Sequence, residues 1–246
     1  AGNAAMVSLL RTIVRTSAFG TLGGLAYITM LPGGMPRGVE IPEESLLEVF
    51  RSSSAYADAH TVTVPVAQVL QGRKSARDVT DDELALALAR GLFGSPVLRA
   101  ELYLTQAQRG GDAWVVEHRG SRTVCDLDSA KWHRALDRTP FTVGDDVGGF
   151  QLTHRSPGEV LFKNGMGKAE TLTWVSARIR VPEHGDVSET VVQFWLGSAV
   201  LPAAGYEKKD LALLPLLVPF HYIYSKFVLG FGVSRACDIA GGKGGR

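Results

Sequence analysis

The side chain in this sequence best suited to moving a proton near neutral pH is His221, followed one helical turn later by Tyr224 and Ser225. It lies in the last long apolar stretch, Asp210 to Cys237 (DLALLPLLVPFHYIYSKFVLGFGVSRAC). There His221, Tyr224, Ser225 and Val228 form one helical stripe, and Phe220, Ile223, Phe227 and Phe231 form a greasier one beside it. A terminal helix that packs its greasy stripe on a sheet and turns the imidazole and phenol inward would close a binding cavity. His221 is then the candidate general acid or base and Tyr224 its partner; a structural histidine bonded to a strand carbonyl is the competing reading. Glu159, which begins a strand, is the second candidate acid.

Candidate ligand-binding residues come from the preceding strands. Trp174, Gln193 and Trp195 fall on one face of neighbouring strands in a suitable register, and a wall of rings with one amide suits a planar apolar ligand. Ordinary core packing explains them equally well. Arg178, on the same side, reaches either an anionic ligand or carboxylates at the rim. Lys163 and Asn164 open a polar run beside Gly165 and Gly167, which reads as a pocket-mouth loop or a solvated turn.

No metal or cofactor is expected. The six histidines contain no pair at i, i+3 or i, i+4, so a helical metal face is absent. The glycine-rich stretches lack the spacing and context of nucleotide sites, and no GxxxxGK[ST], HExxH or GxSxG motif occurs. Redox and phosphoryl chemistry are disfavoured.

The chain has 246 residues, 45% of them hydrophobic, enough for one large domain. Its 26 basic and 25 acidic residues are scattered, with a formal net charge of +1, so there is no footprint for nucleic acid. Cys125 and Cys237 lie far apart without metal-ligand spacing, which fits a reducing compartment such as the cytoplasm and leaves a single disulfide between them open. Residues 16–36 carry no charge and follow Arg11 and Arg15, the layout of a signal anchor, but glycines and prolines interrupt them. Met6, Leu9, Leu10 and Ile13 make an amphipathic face, so residues 6–36 are expected to touch a membrane weakly or to pack as a surface helix. A homodimer is among the expected partners.

The elements that must position these side chains are legible in part. Pro42 to Arg51 reads as a short helix, and residues 60–66 (HTVTVPV) as a first strand whose Pro65 favours a sheet edge. Thr80 with Glu83 forms a capping box for a helix over 80–90, and Ser95 with Pro96 starts a second. Strands are predicted over 113–118, 123–126, 150–154, 159–162, 171–181 and 189–196, with a hairpin turn at 182–186. The expected division is an N-terminal helical extension over 1–58, a domain over 59–238 and a disordered tail over 239–246.

Strand, two helices, antiparallel strands and a long final helix is the order of the helix-grip fold shared by START-like proteins, plant pathogenesis-related proteins and polyketide cyclases. The stretches SPGEVLF at 156–162, the strand pair around 171–196 and LVPFHYIYSKFVL at 217–229 are more specific. They resemble a family of bacterial and fungal proteins known as a domain of unknown function, in which a DEVVLG strand and a terminal PFHR helix recur. The resemblance covers roughly 97–229 and departs at KNGMGKAETLTW, which replaces a shorter segment usually carrying a histidine, so that histidine has no counterpart here. It implies an α+β fold in which a curved antiparallel sheet grips a long C-terminal helix, far more than it implies an activity. The functional expectation is a cofactor-independent cyclase, dehydratase or isomerase of secondary metabolism, acting on a hydrophobic polyketide- or terpenoid-like molecule. A non-catalytic carrier of lipids or hydrophobic small molecules is the alternative, and a membrane-tethered structural protein is a third.

Overall fold

The structure is a computed structural model and describes residues 32–71, 79–100, 102, 114–125, 130–182, 189–212 and 214–241. Most of the expected N-terminal extension and of the uncharged 16–36 stretch therefore lies outside the described residues, as do the hairpin turn beyond 182 and residues 242–246 of the tail.

Alternating side chains are the organising feature of the strands. In β2 (Tyr56–Pro65), Val62 and Val64 enter the main core, while Ala57 and Ala59 pack with Leu47, Trp174 and Trp195 on the opposite face. The other strands are β1 (Arg37–Val39), β3 (Trp114–His118), β4 (Ser121–Cys125), β5 (Asp146–Val147), β6 (Phe150–Ser156), β7 (Glu159–Met166), β8 (Ala169–Arg180) and β9 (Val191–Pro202). Together they form one nine-stranded sheet in the order β1-β2-β9-β8-β7-β6-β5-β3-β4. Every neighbouring pair is antiparallel. The two longest pairings, β2 with β9 and β8 with β9, run without a register shift and form a continuous platform.

Helices lie on both faces of that platform: the first, at 48–51, places Phe50 against the cluster of Leu47 and Trp174, and the others pack on the main-core face. They are α1 (Glu48–Arg51), α2 (Val66–Leu70), α3 (Asp81–Gly94), α4 (Ala130–Arg138) and α5 (Leu214–Ala240), with a helical stretch over 96–100 after Ser95. At the start of α3 the expected capping box is present. Thr80 Oγ1 accepts from the Glu83 N–H at 3.2 Å, and Glu83 Oε2 accepts from the Thr80 N–H at 3.0 Å. Leu84, Leu88 and Leu92 are buried along its inner side. The molecule is thus a mixed α+β protein whose large antiparallel sheet carries a C-terminal helix packed on it.

Two expectations are corrected and one is qualified. β2 lies between β1 and β9, but β1 pairs only residues 59–61, so at Pro65 that side of the strand has no partner among the described strands, the edge-like setting a proline needs. The helix expected over 42–51 is regular only from Glu48, because turns occupy the preceding residues. In α5 the stripes are exchanged along the N-terminal half: Phe220 and Ile223 are exposed, while Ser225 and Val228 are buried. Packing farther along the helix fixes this rotation. Gly232 and Gly91 let α5 and α3 approach so closely that a Cβ on Gly91 would collide with the Gly232 carbonyl, and one on Gly232 would lie 2.6 Å from Leu92. Once the small residues face α3, the side chains one and two turns upstream have no freedom to choose their face.

Candidate functional site

Between the sheet and α5 lies a cavity of about 440 Å³, within the size range of small-molecule sites. Its floor comes from the sheet, with Tyr56 of β2, Leu196, Ser198 and Val200 of β9, and Thr171 and Thr173 of β8. Antiparallel register puts these in rows: Tyr56, Val200 and Thr171 in one, Asp58, Ser198 and Thr173 in the next. One end is closed by aromatic rings, Phe93 meeting Phe150 and Phe162 edge-on with centroids 5.5 and 5.0 Å apart. Trp132 of α4 supports that end by donating its indole N–H to the Phe93 carbonyl at 3.0 Å. The roof is α5, through Leu214, Leu217, Val218, His221, Tyr224, Ser225 and Val228.

His221 and Tyr224 thus both line the cavity, with ring centroids 6.2 Å apart. The sequence reading did not foresee what stands behind them. Asp58, on β2, collects three side chains: its Oδ2 accepts from the Tyr56 hydroxyl at 2.8 Å and faces His60 Nε2 at 3.0 Å, and its Oδ1 lies 3.7 Å from His221 Nε2. The Tyr56 ring meets His221 edge-on at 5.6 Å. Ser225 Oγ is 3.2 Å from the same Nε2.

That shared nitrogen limits the chemistry. A proton on His221 Nε2 points to Asp58, whereas a bare Nε2 accepts from Ser225. A serine–histidine–carboxylate relay needs the hydroxyl and the carboxylate on opposite ring nitrogens, so Ser225 is not set up as a nucleophile. With the proton on Nε2, Nδ1 is the basic atom, and Asp58 stabilises the imidazolium that forms when Nδ1 takes a proton.

Asp58 is suited to that supporting role. Burial alone would raise its carboxyl, but His221, His60 and the Tyr56 hydroxyl outweigh it and hold the group well below the usual carboxylate range. The Tyr56 phenol is pushed up by burial and by Asp58, so it stays protonated as a donor. A depressed folded-state carboxyl contributes stability that is present above the ordinary aspartate range and lost as pH falls through and below about 4. Urea denaturation of wild type and Asp58→Asn between about pH 3 and 6 is expected to show the wild-type advantage shrinking toward the acid end. An advantage that is constant or grows on acidification would contradict it.

The other candidate residues do not reach the cavity. Trp174, Arg178, Trp195 and Glu159 lie on the far face of the sheet and line a separate, polar recess of about 120 Å³ beneath residues 42–45. Gln193 pairs with Arg178 in register and shares that face. Trp174, Gln193 and Trp195 do lie together as expected, on the side away from α5. Glu159 is buried, accepts from the Leu46 N–H at 3.2 Å and meets Arg178 at 3.2 Å, so it serves as an anchor for the segment covering that face. Lys163 is paired with Glu170 at 2.8 Å. Asn164 is buried and shares the register row of Thr171 at the cavity rim, without lining the cavity.

Both cysteines are free and buried, and burial raises both thiols, Cys237 to about 12, so neither is poised as a nucleophile. Among the described residues no group of three or more His, Cys, Asp or Glu is arranged to hold a metal ion. The imidazoles of His60 and His221 address different oxygens of Asp58 and do not converge on a common point. α5 is long and apolar enough to cross a membrane by length and composition, although a third of its most apolar stretch is buried inside the protein. No family model matches the chain, and no curated protein matches it.

Proposed function

We propose that the protein is a cofactor-independent enzyme of the helix-grip, START-like type. It binds a hydrophobic polyketide- or terpenoid-like molecule between sheet and terminal helix and catalyses a cyclisation, dehydration or isomerisation. The observation that carries this reading is the imidazole of His221 at the wall of an apolar cavity with the Asp58 carboxyl group behind it. Holding a flexible apolar substrate in one reactive conformer supplies part of the rate, and this alone accounts for a pericyclase-like reaction. Proton transfer through His221 supplies the rest, and Tyr224, which lines the same cavity, is the donor for developing charge on oxygen. The two free, buried thiols agree with work in a reducing compartment such as the cytoplasm.

A carrier of lipids or other apolar small molecules is the second reading. The outward face of α5 near the cavity favours it: Leu216, Leu217, Phe220 and Ile223 are exposed there, and Leu217 also lines the cavity. Such a surface suits delivery to or from a membrane. The deciding experiment identifies the small molecules that copurify with the native protein by mass spectrometry and returns them to protein stripped of ligand. Conversion to an isomer or to a product lighter by one water supports the enzyme. Repeated recovery of the unchanged molecule leaves the carrier.

A further inference from the structure

The cavity wall contains no lysine, arginine, aspartate or glutamate among the described residues. The formal charge that bears on it is negative and sits just behind it. Asp58 touches Tyr56 and approaches His221, both of which line the cavity, and shares a register row with Ser198 of the floor. Its Oδ1 is buried without a partner at hydrogen-bond distance, His221 Nε2 being its nearest charged-group neighbour at 3.7 Å. Two described lysines that adjoin lining residues in sequence point to aromatic rings: the Lys168 ammonium lies over the Tyr206 ring, and that of Lys226 over the Tyr222 ring.

We infer that the cavity selects its ligand by charge: it accepts apolar molecules whose polar end is uncharged or a protonated amine, it rejects carboxylates and sulfonates, and Asp58 is the residue that sets this preference. An anionic head would lose its water beside a like charge with no lysine or arginine among the described lining residues to receive it. An ammonium head would gain the field of the carboxylate behind the wall and the faces of neighbouring aromatic rings. The reaction partner is then a neutral or amine-bearing molecule, which excludes free fatty acids and phosphorylated intermediates. This rests on reading the cavity as a small-molecule site and holds for enzyme and carrier alike.

The test uses the neutral fluorophore N-phenyl-1-naphthylamine as reporter and displaces it with dodecylamine, dodecanol and dodecanoate below their aggregation concentrations. Measurement at about pH 8, where free imidazole is neutral, keeps the head groups in their intended charge states. Dodecylamine and dodecanol are expected to displace the dye, with dodecanoate weaker by roughly tenfold or more. In Asp58→Asn the gap between dodecanol and dodecanoate should largely close. Dodecanoate binding as well as dodecanol in wild type overturns the inference, and a gap unchanged in Asp58→Asn overturns the assignment to Asp58. If the variant fails to fold, the wild-type series alone decides the selectivity. Failure of the dye to bind at all is a different result, since it removes the small-molecule reading and this inference with it.

Discussion

Gly91→Ala is expected to destabilise the protein by about 3 kcal/mol or more, at the upper end of overpacking effects. The new methyl group would meet the backbone carbonyl of Gly232, and backbone cannot move aside as the end of a flexible side chain can. Relief requires α3 and α5 to separate or α5 to turn about its axis. Either movement also shifts His221 and Tyr224 relative to Tyr56 and Asp58, so any folded fraction should bind apolar dye poorly. Gly165→Ala is the control. It lies in β7 with nothing within 4 Å of the added Cβ, and its effect should stay within about 0.5 kcal/mol. Urea denaturation midpoints check both. Equal stability of the two variants would show that the glycine contact does not set the position of α5.

The same contact explains where sequence reading succeeded and where it stopped. Periodicity identified the stripe His221, Tyr224, Ser225, Val228 and the greasier one beside it, but two adjacent stripes on one helix compete for the same core. The winner is chosen by Gly91 and Gly232, one on each helix, and a contact between residues so far apart has no local signature. Asp58 was missed for a related reason. Val62, Val64 and Val66 announce a strand from His60 on, but Ala57, Asp58 and Ala59 are poor strand formers and carry no alternation that would extend it back. Pairing with β9 extends the strand back to Tyr56 and carries Asp58 onto the cavity face. α4 could have been found, since Trp132 and Leu136 stand four residues apart and are both buried. The β8 and β9 alternation gave the right shared face for Trp174, Gln193 and Trp195. Alternation alone could not say on which side of the sheet the terminal helix would lie, and so it assigned those residues to the cavity when they face away from it.

His221→Gln should lower turnover of the copurifying substrate by about 100- to 10,000-fold, the range of general acid-base contributions, with little loss of ligand affinity. Glutamine keeps a polar side chain of similar reach at a half-buried position on α5, so the cavity should survive. It cannot take or release a proton near neutrality, so the chemical step should fail while binding remains. Asp58→Asn acts one step back, through the imidazole. Asparagine can still receive the Tyr56 hydroxyl, but it no longer balances an imidazolium, so turnover should fall less than in His221→Gln and shift in its pH profile. Combining the two should add little to the single His221 defect, because a supporting carboxylate has nothing to support once the imidazole is gone. Strict additivity would mean that Asp58 works independently of His221. Full turnover in His221→Gln would remove proton transfer from the mechanism and leave conformational positioning by the cavity as the source of any rate enhancement.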